Sequence, residues 1–253
     1  MLMNARALQG FKLQGINGEV GKVAQFLFDD HHWTIRYLVA ETGDWLTNRQ
    51  VLISPYAIIS VNVETKHMSL NLTKKQIEDS PLLETNMPVS RQFEESYSGY
   101  YGLPYYWVGP FVWGAFPELS RNIGVSGKED NSGKPLDPNL RSVMDVAGHT
   151  IESTNGEVGT AVDFVIDDLA WMIRYIIVET GSWWSGRKVV ISPRWISRIS
   201  WHDRKVFIHL TREAIRESPA YSEELINSRE YERRLHSHYN VKTYWDDLQG
   251  SKK

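Results

Sequence analysis

The chain contains no cysteine. Disulfides, thiolate nucleophiles and cysteine-ligated zinc or iron–sulfur centres are therefore excluded. The same absence fits a reducing compartment. No apolar run approaches the ~18 residues that a membrane helix needs. Met1 to Leu13 is interrupted by Asn4, Arg6 and Lys12 and does not read as a signal peptide. No membrane span is expected, and the cytoplasm is the default location. An excess of basic charge is also missing. Lys and Arg number 28 against 31 Asp and Glu, for a net charge of −3. Broad nucleic-acid binding needs a basic face and is disfavoured. Phosphate-cradling glycine loops and the Gly-x-Ser-x-Gly elbow are absent, so neither nucleotide binding nor serine hydrolysis has a motif.

What is present is a globular composition of 253 residues, 42% hydrophobic and 23% charged. That length suits two ordinary domains. Aromatics are abundant, with ten Trp and twelve Tyr. Such residues bury large areas in small cores and at contact surfaces.

The dominant signal is an internal repeat. Asn17-Gly-Glu-Val-Gly21 recurs as Asn155-Gly-Glu-Val-Gly159, at an offset of 138. The offset carries Asp29-Asp30 onto Asp167-Asp168, Ile35-Arg-Tyr37 onto Ile173-Arg-Tyr175, and Glu41-Thr-Gly43 onto Glu179-Thr-Gly181. It also carries Ile53-Ser-Pro55 onto Ile191-Ser-Pro193 and Ser80-Pro81 onto Ser218-Pro219. Residues 17–81 and 155–219 share 27 identities in 65 positions without a gap. The register continues through Ser90-Arg91 and Ser228-Arg229, Glu94 and Glu232, Tyr101 and Tyr239, and Tyr106-Trp107 and Tyr244-Trp245. The chain therefore divides into a first repeat with its tail (1–107), a linker (108–140) and a second repeat with its tail (141–253). The linker is rich in Gly and Pro, among them Gly109-Pro110, Gly124 and Pro138, which is turn chemistry.

Each repeat reads as short strands followed by helices. Asn17-Gly18 marks a tight hairpin turn. Strands are expected at 20–28, Trp33–Thr42, Val51–Ile53, 57–63 and 67–72. The second of these is apolar on both faces, so both faces should be covered, one by the core and the other by the sister repeat or a tail. Thr73 and Gln76 have the spacing of a capping box at the start of a short helix. The second repeat keeps Thr211 but has Ala214, which leaves half a box. Ser90 and Ser228 are caps for a second helix in each tail.

With these motifs in view, the chain resembles the PRC-barrel family. The carrying features are the Gly-Glu-Val-Gly turn, the acidic turn at Asp29-Asp30 and Asp167-Asp168, and the Arg-Tyr-hydrophobic strand. The Gly-x-Trp segment before Arg49 and Arg187, the Ile-Ser-Pro strand end and the closing Leu-Thr-x-x-x-Ile helix complete the set. The resemblance implies a small six-stranded β-barrel. In the family it occurs in the cytoplasmic part of photosynthetic reaction-centre H subunits and in RimM-type ribosome-maturation factors. There it implies docking and assembly without catalysis. This chain departs from both relatives. It lacks the membrane helix of the H subunit, and its first repeat starts too near Met1 for the N-terminal domain of a RimM-type factor.

Several residues invite a chemical reading and carry a plainer one. Asp29-Asp30 and Asp167-Asp168 could be metal ligands, but side chains of adjacent extended residues diverge, and an Asx turn is the plainer account. Glu41 and Glu179 end a buried strand and could form ion pairs with Arg36 or Arg49, and with Arg174 or Arg187. His236 and His238 are two apart on a helix and do not share a face. The aromatics of the tails, Tyr101, Tyr105, Tyr106, Trp107, Tyr244 and Trp245, are the strongest candidates for a contact surface, with packing on the chain's own barrels as the plainer reading. Trp45 and Trp183-Trp184 form a second candidate in the loop after the buried strand.

The expectation is a mainly β fold. It consists of two PRC-like barrels in tandem, related by internal pseudo-symmetry and packed against each other, each followed by short helices. The expected role is non-enzymatic, an interaction or scaffold module whose partner is another protein. No catalytic residue, metal site or cofactor is expected. An RNA- or ribosome-associated maturation factor is the alternative, with Arg229, Arg233 and Arg234 as its basic candidates. A small-ligand or metal-dependent enzyme stands third.

Overall fold

The computed structural model describes residues 1–82, 89–107, 113, 140–181, 186–243 and 245. Trp183, Trp184 and Tyr244 lie outside the described residues, as does the expected linker except for residues 113 and 140. The chain is mainly β. Among the described residues are fourteen strands and five short α-helices, and the sheet is mixed and not closed. Contacts divide the chain into two units. The first holds Ala5–Met144 and Asp167–Met172; the second holds Met1–Asn4, Asp145–Ile166 and Ile173–Lys253.

Strand β1 (Leu2–Asn4) belongs to the second unit. The first unit is built on β2 (Lys12–Gly15), β3 (Gly18–Asp29), β4 (Thr34–Glu41), β5 (Gln50–Ile53), β6 (Ile58–Asn62) and β7 (His67–Leu70). Strands β2, β3, β4 and β5 pair antiparallel in succession, β6 pairs antiparallel with β7, and β7 runs parallel to β2. The β2–β3 hairpin has Ile16 and Asn17 at its tip, with Gly15 opposite Gly18. The turn thus begins one residue before the Asn-Gly pair. Asn17 also ties the hairpin to the start of helix α1 (Lys74–Glu78), because its Oδ1 accepts from the Lys74 amide at 2.9 Å.

The Gly-Glu-Val-Gly motif has a steric cause. Gly21 lies beside a bulge in the β2–β3 register at φ +143°. A Cβ there would stand 2.0 Å from the Glu41 carbonyl oxygen. Gly159 meets the same obstacle, 2.1 Å from the oxygen of Glu179. Only glycine lets the two backbones approach this closely.

Strand β4 is buried from Thr34 to Ala40. Leu38 and Ala40 of this strand stand opposite Phe26 and Val23 of β3, and all four are buried. On the strand's other face, Tyr37, Val39 and Leu52 cluster with Val89 and Tyr97, and Phe93, Tyr101 and Leu103 pack around them. That second face is covered by helix α2 (Arg91–Tyr101). Each large apolar side chain so buried stabilises the fold by ~1.5–3 kcal/mol. Thr73 and Gln76 form the full capping box of α1, and Ser90 caps α2 by accepting from the Phe93 amide. Strand β8 (Leu140–Ser142) completes this unit by pairing with Leu27–Asp29 at the end of β3.

In the second unit, after α3 (Val143–Val146), come β9 (Thr150–Ser153), β10 (Gly156–Asp167), β11 (Met172–Thr180), β12 (Lys188–Ile191), β13 (Ile196–Ser200) and β14 (Lys205–Ile208). Helices α4 (Arg212–Arg216) and α5 (Arg229–His238) follow. Strand β14 runs parallel to β9, and the other ladders described are antiparallel. Thr211 caps α4 with only half a box, and Ser228 caps α5. Strand β1 pairs with β10. The second unit thus takes β1 from the first sequence repeat, and the first unit takes Arg141 and Ser142 of β8 from the second.

Candidate interaction site

The centre of the first unit's site is Glu94 on α2, which has no exposed surface. Its Oε1 accepts from the Tyr37 hydroxyl at 3.1 Å and from the Tyr106 hydroxyl at 2.7 Å. Its Oε2 takes the Arg91 guanidinium at 2.7 Å. Burial pushes the Glu94 carboxyl above its ordinary range, against the pull of Arg91. Burial, together with the Glu94 charge, also drives Tyr37 and Tyr106 upward, so both phenols stay protonated donors.

Around this anchor lies a layer of cations on rings. The guanidinium of Arg36, itself buried, stands 3.8 Å from the Tyr106 ring centroid and 5.1 Å from that of Trp113. It bonds Asp29 at 2.8 Å. Burial opposes charge on Asp29, but the field and hydrogen bond of Arg36 prevail and hold its pKa below the ordinary value. Arg91 lies over Trp107 at 4.1 Å, and Tyr105 stacks on Trp107 at 4.8 Å with 19° between the planes. Tyr105 and Trp107 are half-buried and keep part of their surface open. Tyr101 turns inward, with its ring 4.7 Å from Tyr97 and its hydroxyl donating to the Gln76 carbonyl at 3.3 Å.

The second unit carries a related arrangement. Glu232 on α5 is buried, and its Oε1 accepts from the Tyr175 hydroxyl at 2.9 Å. Arg229 reaches Glu232 at 3.4 Å and lies 4.3 Å from the ring centroid of half-buried Trp245. His236 is buried too. Its Nδ1 lies 2.9 Å from the Lys242 carbonyl, which can only accept, so that nitrogen carries a proton. Its Nε2 faces the Tyr175 hydroxyl at 2.9 Å. His238 bonds elsewhere, to the Ala214 carbonyl at 2.7 Å.

Trp45 sits apart from these stacks. Its indole N–H donates to the Val20 carbonyl at 3.0 Å, and Lys74 lies 5.1 Å from its ring centroid. It lines an open groove of about 680 Å³ with Lys12, Glu19, Lys22, Glu41 and Gln50. Glu41 meets Lys22 at 3.0 Å, not Arg36 or Arg49. Both partners are well exposed, and such a pair is worth little in water. Arg49 instead donates to the carbonyls of Glu78, Ser80 and Pro81 at 3.2, 2.8 and 3.2 Å. Arg187 bonds the Ser218 carbonyl. These two arginines hold the chain just beyond the short helices α1 and α4. Glu179 is exposed opposite Lys188, and Arg174 is half-buried in β11.

The acidic turns are Asx turns. Asp29 Oδ1 accepts from the amides of His31 and His32 at 2.8 and 3.3 Å, and Asp167 Oδ1 from the Leu169 amide at 3.0 Å. Among the described residues no group of three His, Asp or Glu is placed to hold a metal ion. Among them, too, no helix is long and apolar enough to cross a membrane. In the sequence, Glu94 and Glu232 stand out only as points of repeat register. The signal of their role is the Arg three residues before each, on the same helical face. No protein-family model matches this chain, and no curated protein matches it.

Proposed function

We propose that the chain is a non-catalytic docking module of the PRC-barrel type, whose ligand is another protein. The observation that carries this reading is the twofold occurrence of a half-open Arg–Trp stack seated on a buried carboxylate. Arg91 with Trp107 and Tyr105 forms one ledge, and Arg229 with Trp245 forms the other. Trp, Tyr and Arg are the residues that dominate binding energy at protein interfaces. Here their rotamers are restrained before binding, which lowers the entropic cost of contact. The anchor is rigid because Glu94 and Glu232 bind strand tyrosines through buried hydrogen bonds.

The family reading rests on the motifs of the sequence and is supported by the mixed strand order. In that order the parallel β2–β7 and β9–β14 pairs bring the end of each six-strand run back beside its beginning. The test is affinity capture of partners from native extract by the full chain, with and without ribonuclease. A discrete protein that survives the nuclease supports docking. Capture confined to ribosomal proteins, and lost on nuclease treatment, would replace this reading with RNA-dependent assembly.

A further inference from the structure

His236 on α5 is buried, at 3% exposure, and its two ring nitrogens make different demands. Nδ1 stands 2.9 Å from the Lys242 carbonyl oxygen, which only accepts, so Nδ1 carries a proton. Nε2 stands 2.9 Å from the Tyr175 hydroxyl oxygen, and the same oxygen stands 2.9 Å from Oε1 of Glu232. Two hydrogen bonds need two protons, and a phenol has one. Tyr175 gives its proton to Glu232, so the proton in the second contact comes from Nε2. His236 then donates from both ring nitrogens and is an imidazolium. The proton can instead rest on Glu232, with the hydroxyl turned toward Nε2. Either way the three groups hold one proton more than a carboxylate, a phenol and a neutral imidazole would. Their other contacts leave this count unchanged, because each of the two short contacts needs its own proton.

The first repeat is built differently at this place. Tyr37, Glu94 and Ser98 occupy the positions of Tyr175, Glu232 and His236. Tyr37 donates to Glu94 at 3.1 Å, and Ser98, also buried, brings no titratable group.

We propose that Tyr175, Glu232 and His236 form a proton-binding site, which holds one shared proton at neutral pH and releases it in mild alkali. Among the described residues, the titratable groups that face it are these three and Arg229, which is 3.4 Å from Glu232. Lys242 offers its carbonyl and is itself exposed to water. Trp195 and Trp245 bring neutral rings, centred 6.3 and 6.2 Å from the imidazole. The charge of Arg229 favours release, but its side chain is 58% exposed and water screens it. Burial favours retention, since release leaves the carboxylate charge without its buried counterpart. Glu94 shows which effect is larger. Burial pushes its carboxyl above the ordinary range although Arg91 is closer, at 2.7 Å. Release also leaves one of the two contacts of Tyr175 with no proton in it, which loosens α5 from β11. The folded chain therefore binds this proton more tightly than the unfolded chain does. The stability it contributes is complete below the ordinary imidazole pKa of about 6.5 and is lost as pH rises through the folded value. That value belongs to the set of groups and not to any one of them.

Isotope-edited NMR of the full chain tests this, with the histidine ring nitrogens and the glutamate carboxyl carbons followed from mild acid to mild alkali. The variants His236→Gln and Glu232→Gln assign the signals by their loss. The expected result at neutral pH is a proton retained on the His236 ring or on the Glu232 carboxyl. It should leave about one pH unit or more above the ordinary imidazole value. Tyr175→Phe should bring that release down to the ordinary value or below, because Nε2 then loses its acceptor. A neutral His236 beside an ionised Glu232 at neutral pH in the unsubstituted chain would overturn the proposal. Unchanged release in a Tyr175→Phe variant with native circular dichroism would overturn it too, since the phenol would then not link the two groups. If that variant does not fold, the titration of the unsubstituted chain decides alone.

Discussion

The hydroxyl of Tyr37 donates to the carboxylate of Glu94 at 3.1 Å, across 57 residues of chain, with both groups buried. Tyr175 makes the same bond to Glu232 at 2.9 Å across the same interval. Each bond ties a tail helix to the otherwise uncovered face of a central strand. Glu94 also serves Tyr106 and Arg91, so the two ways of breaking the contact differ in cost. Tyr37→Phe removes one donor of three and should cost about 1–2 kcal/mol. Glu94→Ala leaves two phenols and a guanidinium without their acceptor and should cost about 3–5 kcal/mol. Urea unfolding checks this. The midpoint should fall in that order, with the slope unchanged.

A histidine in the second unit predicts the acid behaviour. His149 is buried, and its ring meets Trp201 edge-on at 5.6 Å. Burial, then the charge of Arg204, pushes its pKa below the usual imidazole value. The unfolded chain therefore takes up this proton first. The stability contribution is fully present above the unfolded pKa and is lost as pH falls below it. The first repeat has Phe11 at the equivalent position, also buried. Accordingly, His149→Phe should flatten the decline in stability from about pH 7 to about pH 5. Unfolding free energies across that range would show an unaltered slope if the histidine plays no part.

Gly21 and Gly43 both have positive φ, but for different reasons. At Gly21 an added Cβ collides with backbone, whereas at Gly43 it meets nothing within 4 Å. Gly21→Ala should cost about 2–3 kcal/mol, because the strands must separate. Gly43→Ala should cost less, about 1–2 kcal/mol, the strain of a backbone at φ 67° and ψ −166°, a region that glycine alone enters readily. Thermal melts of the two variants side by side test the difference, and equal losses would remove the close-approach account.

Arg49 acts on carbonyls, not on a carboxylate. Arg49→Lys should therefore recover little of what Arg49→Ala loses, because an ammonium cannot fork across three backbone oxygens. A loss of about 1–2 kcal/mol is expected for either, read as faster amide exchange in α1. Restoration of normal exchange by lysine would mean that charge, rather than the fork, is what matters.

Much of the strand succession was legible in the sequence because its signals are local. Thr73 and Gln76 announce a cap within four residues, and the apolar run of β4 falls within a single element. The pairing of Glu41 was not legible. Arg36, Arg49 and Lys22 are all nearby in sequence, and register decides among them: Lys22 stands directly opposite Glu41. The exchange of β1 and β8 was hidden for another reason. Three residues carry no periodicity, and their partners lie more than a hundred positions away. The buried roles of Glu94 and Glu232 run against composition, since carboxylates are ordinarily at the surface. The tertiary approach of Tyr37 and Tyr175, with Arg91 and Tyr106 on Glu94 and Arg229 on Glu232, offsets the cost of burying them.

The central claim is that the Arg–Trp ledges bind a protein. Trp107 and Trp245 are half-buried, so replacing both by alanine should leave the fold largely intact, which circular dichroism can verify. The decisive measurement is calorimetric titration of a captured partner into the wild type and into the Trp107→Ala/Trp245→Ala variant. Loss of about 2 kcal/mol or more in binding, with the fold retained, is the predicted result. Unchanged affinity in the folded double variant would contradict it and move the binding site away from the ledges.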